Sequence, residues 1–152
     1  MSSKFVYVTF IKASPQKVWD ALTGPEFQKQ YWLGYHWESA WKEGAPWKMV
    51  RPDGTVTDSG EIIESNPPKR LVMKWRNEFR PELAAEGHAR CTYEIESGEG
   101  IVKLTVTHEI GVDNSKFIEA VSGGWPMILS NLKTLLETGR SMPEIGSFRK
   151  AS

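Results

Sequence analysis

A single cysteine, Cys91, excludes an intrachain disulfide, so nothing in the chain calls for an oxidising compartment. Nineteen basic residues are matched by nineteen acidic ones, which removes the electrostatic footprint that nucleic acid or an anionic membrane would require. No stretch is long and apolar enough to span a membrane, and the Met-Ser-Ser-Lys start leads into a short alternating run rather than a signal-peptide core. These gaps predict a cytoplasmic protein. His36, His88 and His108 are the only imidazoles, and none has a second ligand at metal-binding spacing, so no metal is expected. A nucleophile elbow, a glycine-rich phosphate loop and a paired-carboxylate motif are also missing, so no cofactor and no standard catalytic centre is expected.

Tryptophan is the surplus. Seven in 152 residues is several times an ordinary share, and rings that large line a core, a cavity or a contact surface. Trp19 and Trp125 belong to amphipathic helix faces, Trp37 and Trp41 share a strand face, and Trp32 stands where helix gives way to sheet. Converging indoles would wall a pocket for a flat or greasy molecule, whereas interdigitating ones would make a dense core with no ligand.

Period, start and stop agree best over residues 123–139. Trp125, Ile128, Leu129, Leu132, Leu135 and Leu136 recur at three-and-four spacing and form one apolar stripe. Pro126 is placed in the first turn, Gly123-Gly124 before it as a flexible entry or a close packing point, and Gly139 as the left-handed stop. Residues 114–122 read as a helical lead-in. Such a rod, about 25 Å long, needs an apolar floor.

The rest of the chain supplies one. Residues 4–12 read as a strand; Ser14-Pro15 opens a short helix with Val18, Trp19 and Leu22 inward, and Pro25 opens a second through Tyr31. Strands follow at about 35–43, 46–51, 55–64, 70–79, 87–97 and 100–110, separated by Gly, Pro, Asn and Asp turns. Leu71, Met73, Trp75 and Phe79 share one face, as do Cys91, Tyr93 and Ile95, and Val102, Leu104 and Val106; Cys91 reads as a small core residue. Residues 80–87 read as a solvated loop, a cavity rim being the alternative. One domain over 1–140 with a frayed tail at 141–152 results, an α+β fold in which a long helix covers a curved antiparallel sheet of six to seven strands.

The pieces Ala13-Ser14-Pro15, Val18-Trp19-Asp20-Ala21-Leu22-Thr23, Tyr31-Trp32 and Trp41-Lys42-Glu43-Gly44-Ala45-Pro46-Trp47 follow one another in a familiar order. So do Asp58-Ser59-Gly60, Pro67-Pro68-Lys69-Arg70-Leu71, Leu104-Thr105-Val106-Thr107-His108 and Gly123-Gly124-Trp125-Pro126. Over nearly its whole length the chain resembles the SRPBCC or START-like helix-grip superfamily, and within it the homologues of the activator of heat-shock-protein-90 ATPase. The resemblance implies a helix-grip fold with a hydrophobic cavity between the sheet and the C-terminal helix. The superfamily includes lipid carriers, receptors, cyclases and co-chaperone domains, so fold alone does not choose among them. The eukaryotic co-chaperone looks like a two-domain protein, and 152 residues hold only this module.

The expected function is to bind a hydrophobic, aromatic or lipid-like small molecule under the long helix. The expected ligand-binding residues are Trp32, Trp47, Trp75, Tyr93, His108, Trp125, Ile128 and Leu129, while Leu132, Leu135 and Leu136 seal the core. His108, in phase with Leu104 and Val106, is the one catalytic candidate, as the acid or base of a cyclase- or hydratase-like enzyme; a hydrogen-bonded structural histidine is the plainer reading. A homodimer is allowed, and a co-chaperone-type module for the heat-shock protein is the other alternative.

Overall fold

The computed structural model describes residues 2–149. Strands β1 Ser3–Ile11, β2 His36–Ser39, β3 Pro46–Val50, β4 Val56–Asn66, β5 Arg70–Asn77, β6 Ala89–Ser97 and β7 Val102–Ile110 form one sheet. Their spatial order is β1-β7-β6-β5-β4-β3-β2 with every pair antiparallel. Short turns make a meander of β2 to β7, and only β1 crosses the fold to reach its neighbour. Register slips at Met49/Val50 and Ile62/Glu64 insert bulges on the β3–β4 and β4–β5 pairs, and bulges bend a sheet. The result is the α+β helix-grip architecture: a curved sheet, two short helices after the first strand, and a long C-terminal helix.

Helices α1 Pro15–Thr23 and α2 Pro25–Tyr31 share Gly24, which ends one and precedes the other. The Ser14 hydroxyl accepts from Lys17 N at 3.2 Å, and Pro15 costs nothing in a first turn that lacks acceptors anyway. Gln28, fully buried, fastens α2 on both sides: its amide donates to the Leu22 carbonyl at 2.7 Å and its oxygen accepts from Trp37 N at 2.8 Å. Asn131 does the same for the C-terminal helix, donating to the Tyr31 carbonyl at 3.1 Å and accepting from Met142 N at 2.5 Å. Each buried amide is satisfied, so it fixes the packing instead of penalising it.

The C-terminal helix α4 runs Lys116–Thr138, so the helical lead-in expected over 114–122 and the stripe over 123–139 form one continuous helix. Ser115 caps it by accepting from Ile118 N at 3.0 Å, and the Glu86 carboxylate, reaching from another loop, accepts from Lys116 N at 2.8 Å and from the Ser115 hydroxyl. A carboxylate at a helix N-terminus satisfies orphan N–H groups and complements the dipole. Pro126 therefore lies inside the helix rather than in its first turn, and Gly123-Gly124 is helical rather than a flexible entry. Nor do these glycines pack closely, because a Cβ built on either meets nothing within 4 Å. Gly139, at φ 84°, ends the helix in the left-handed conformation.

Two strands end sooner than their composition suggests. Past Ser39 the chain turns through Trp41 at φ 57°, with Trp41 N donating to the Ser39 hydroxyl at 3.0 Å. Past Asn77 it turns again, with the Asn77 side chain accepting from Phe79 N and Arg80 N. Phe79 consequently leaves the core face and stands exposed, with the Arg51 guanidinium 3.9 Å above its ring. The segment 80–87 carries a helical turn, α3 Pro81–Ala84, whose Leu83 is buried. After Gly139 the chain is described to Arg149 and carries a 3-10 helix, Pro143–Phe148.

Candidate functional site

Six of the seven tryptophans form one contiguous network. Trp37 is its hub, stacked on Trp47 at 4.5 Å between ring centres and on Trp41 at 5.7 Å, and edge-on to Trp75 at 5.0 Å. Trp125 meets Trp75 at 5.8 Å and Trp32 at 5.7 Å, so the network passes from the sheet to α4 and α2. Offset and edge-on contacts of this kind contribute beyond buried area.

The indole N–H groups are treated differently, and that difference organises the site. Trp47 Nε1 donates to the Lys74 carbonyl at 2.9 Å across β4, which is possible only because Gly60 lies between; a Cβ there would meet the Lys74 oxygen at 1.8 Å. Trp75 Nε1 donates to Asp58 Oδ2 at 2.7 Å. Trp125 Nε1 donates to His108 Nδ1 at 3.1 Å. Trp37 Nε1 is buried with no partner among the described residues.

A chamber of about 210 Å³ lies between this network and the first half of α4. Trp32, Trp75, Trp125, Met49, Leu83 and Phe117 provide its apolar wall, and Asp58, Asn77 and Arg80 its polar groups. An outer cleft of about 580 Å³ adjoins it, sharing Trp32, Arg80, Ala120 and Gly124 and adding Lys116, Glu119, Ile128, Phe148 and Arg149. Arg80 and Leu83 make residues 80–87 a rim of the chamber, not a plain solvated loop. Gly124 borders both spaces with no side chain, so the helix is thinnest where they meet.

Of the residues expected from sequence, Trp32, Trp75 and Trp125 line the chamber and Ile128 lines the outer cleft. Trp47, Tyr93, His108 and Leu129 are packed behind these surfaces. His108 sits one layer back, its ring 5.0 Å from Trp75, 5.1 Å from Phe117 and 6.1 Å from Trp125. It is fully buried, and desolvation pushes its pKa down to about 3. Because Nδ1 accepts from Trp125, the neutral ring carries its proton on Nε2, which has no acceptor among the described residues. Cys91 is fully buried and its thiol is raised well above the ordinary range by desolvation.

Asp58 is the chamber residue that the sequence reading did not select. Burial raises its carboxyl above the usual carboxylate range, against the opposing bond from Trp75, and Glu78 adds to the rise. One oxygen is held by Trp75, and the residue lines the chamber. A signal for it existed: Asp58, Gly60 and Ile62 share a phase on β4, so an acid occupies a core-facing position.

A long helix gripping a curved antiparallel sheet over a tryptophan-walled chamber defines a helix-grip protein. The chain belongs to the family of Activator of Hsp90 ATPase homolog 1-like proteins, whose family model matches residues 12–137. No curated protein matches it. Among solved structures it is similar to the Aha1 dimer from Colwellia psychrerythraea, at 22% identity and TM-score 0.74 over 91% of this chain and 99% of that one. It is also similar to an HSP90 activator from Plasmodium falciparum, at 22% identity and TM-score 0.71 over 88% of this chain and 96% of that one. CalU16 from Micromonospora echinospora matches at 18% identity and TM-score 0.73 over 96% of this chain and 82% of that one. At these identities the likeness is one of fold. Among the described residues no helix is long and apolar enough to cross a membrane.

Proposed function

We propose that the protein binds a small aromatic molecule in the chamber beneath the first half of α4. The observation that carries this reading is a void walled by three tryptophans with one buried carboxyl, Asp58, in its lining. Apolar walls with few convergent polar groups are the usual composition of a ligand site. The chamber, about 210 Å³, is smaller than the ~300–1,000 Å³ of most such pockets, which favours a ring system over a long acyl chain. Glycine at 124 supports the same reading, since alanine would stabilise an ordinary helix interior by about 0.5–1 kcal/mol.

The test uses intrinsic tryptophan fluorescence and thermal unfolding with a panel of indoles, naphthols and flavonoids. A binder is expected to perturb the fluorescence and raise Tm, and Gly124→Leu, which projects a side chain into the void, is expected to abolish both effects while melting no lower than the native protein. Binding that survives Gly124→Leu, or a panel with no binder, overturns the reading.

A second reading, as a partner of a heat-shock-protein-90 ATPase, is supported by the family's description and by the Plasmodium falciparum HSP90 activator of similar fold. It predicts a measurable rise in that ATPase's turnover on addition of this protein. Unchanged turnover at saturating protein removes it.

A further inference from the structure

Resting on the chamber reading above, we infer that the ligand is an aromatic anion, its ring body in the chamber and its anionic group in the outer cleft among Arg80, Lys116 and Arg149. Lys116, at the first position of α4, Arg80, ahead of α3, and Arg149, after the 3-10 helix, come from three distant segments of sequence. The outer cleft brings them together with Glu119 as the one acid of its lining, while Glu82 pairs with Arg80 and Glu86 accepts from Lys116 N close by; Arg80 borders the chamber as well.

The cations are also differently committed. Arg80 Nε already donates to Glu82 at 2.7 Å. Among the described residues neither the Lys116 ammonium nor the Arg149 guanidinium has an acidic partner within 4 Å, although Lys116 N donates to Glu86 and the Arg149 guanidinium lies 5.2 Å from the Tyr35 ring. Two cations are therefore free to meet an anion at the mouth, with Trp32 and Phe148 alongside to cover an apolar body.

Asp58 gives the ligand its direction. An anion at the inner end would face a buried carboxyl whose proton affinity is already raised, so the charged group belongs at the mouth and the inner end is neutral. A hydroxyl on the inner end would hydrogen-bond the Asp58 carboxyl. The class that fits is a hydroxylated aromatic carboxylate, sulfonate or phosphate ester; the anion's chemistry is shared among these, and the titration below compares a carboxylate with a sulfonate.

Isothermal titration calorimetry with 2-naphthol, 6-hydroxy-2-naphthoate and 6-hydroxy-2-naphthalenesulfonate tests the assignment. At least one anion is expected to bind about tenfold more tightly than 2-naphthol. That advantage is expected to vanish in the Lys116→Gln/Arg149→Gln double variant and to shrink in high salt, while 2-naphthol binding is unchanged in both. Lys116 and Arg149 are exposed, so the double variant is expected to keep the native Tm, checked alongside. Equal binding of 2-naphthol and both anions, or an advantage that persists in the double variant, overturns the charge assignment and leaves the chamber reading standing. If no naphthalene binds, both are overturned.

Discussion

Acidification from pH 6.5 to about 3 is expected to remove about 4 kcal/mol of stability at His108 alone. Its pKa falls to about 3 in the fold, against about 6.5 in the unfolded chain, and each unit of difference corresponds to about 1.4 kcal/mol. The sign follows from which state binds the proton. Above pH 6.5 the ring is neutral in both states and the fold bears no cost. Below it the unfolded chain takes up a proton that the native chain, with its imidazole sealed among Trp75, Phe117 and Trp125, refuses down to about pH 3. Stability therefore falls by about 1.4 kcal/mol per pH unit across that window, a loss of roughly 3 kcal/mol by pH 4.

His108→Asn isolates the effect, because an asparagine oxygen placed near Nδ1 keeps an acceptor for Trp125 Nε1 and carries no proton. The variant is expected to be weaker than the native protein at pH 7, where it leaves space around the shorter side chain, and to lose less on acidification. Asp58 works in the opposite sense: its carboxyl is raised, so its cost to the fold is relieved as pH falls. It is common to both proteins and cancels in their difference. Urea unfolding from pH 7 to pH 4 gives that difference directly, and parallel stability curves would mean that His108 does not resist protonation.

The elements that were readable from sequence are those whose signal is local and periodic. β7 alternates buried and half-buried side chains along its whole length, and the stripe from Trp125 to Leu135 faces inward as its spacing requires. What was not readable depends on partners far away in the chain. The Glu86 carboxylate that joins Ser115 in holding the first turn of α4 comes from about thirty residues before it, so no local pattern names it. Nothing in the neighbours of Trp41 forecasts its left-handed turn, from which its ring stacks on Trp37. The tryptophan surplus pointed to either a dense core or a pocket wall, and the structure makes it both: Trp37 and Trp47 fill, while Trp32, Trp75 and Trp125 line. Asp58 had the right phase, but a core-facing acid is rare enough that composition argued against it. The cationic mouth had no sequence signal at all, because Arg80, Lys116 and Arg149 converge only through the fold.

Trp37→Ala is expected to cost about 3–5 kcal/mol, comparable to most of a small domain's net stability. The residue is only 2% exposed and stands at the hub of the network, so its removal opens a cavity walled by Trp32, Trp47 and Trp75 that rigid rings cannot refill. Phenylalanine at the same position makes the sharper experiment. Trp37 Nε1 donates to nothing among the described residues, so Trp37→Phe loses area but no hydrogen bond, and it relieves a buried donor of its desolvation cost. Trp75→Phe strips Asp58 of the indole N–H that holds Oδ2, and Trp47→Phe strips the Lys74 carbonyl of its indole donor, each adding about 1–3 kcal/mol to the same loss of area. The expected order of stability is therefore Trp37→Phe above both Trp47→Phe and Trp75→Phe, with Trp37→Ala far below Trp37→Phe. Urea denaturation of the four variants measures it. A Trp37→Phe protein as unstable as Trp75→Phe would show that ring area governs this cluster and that the indole hydrogen bonds contribute nothing net.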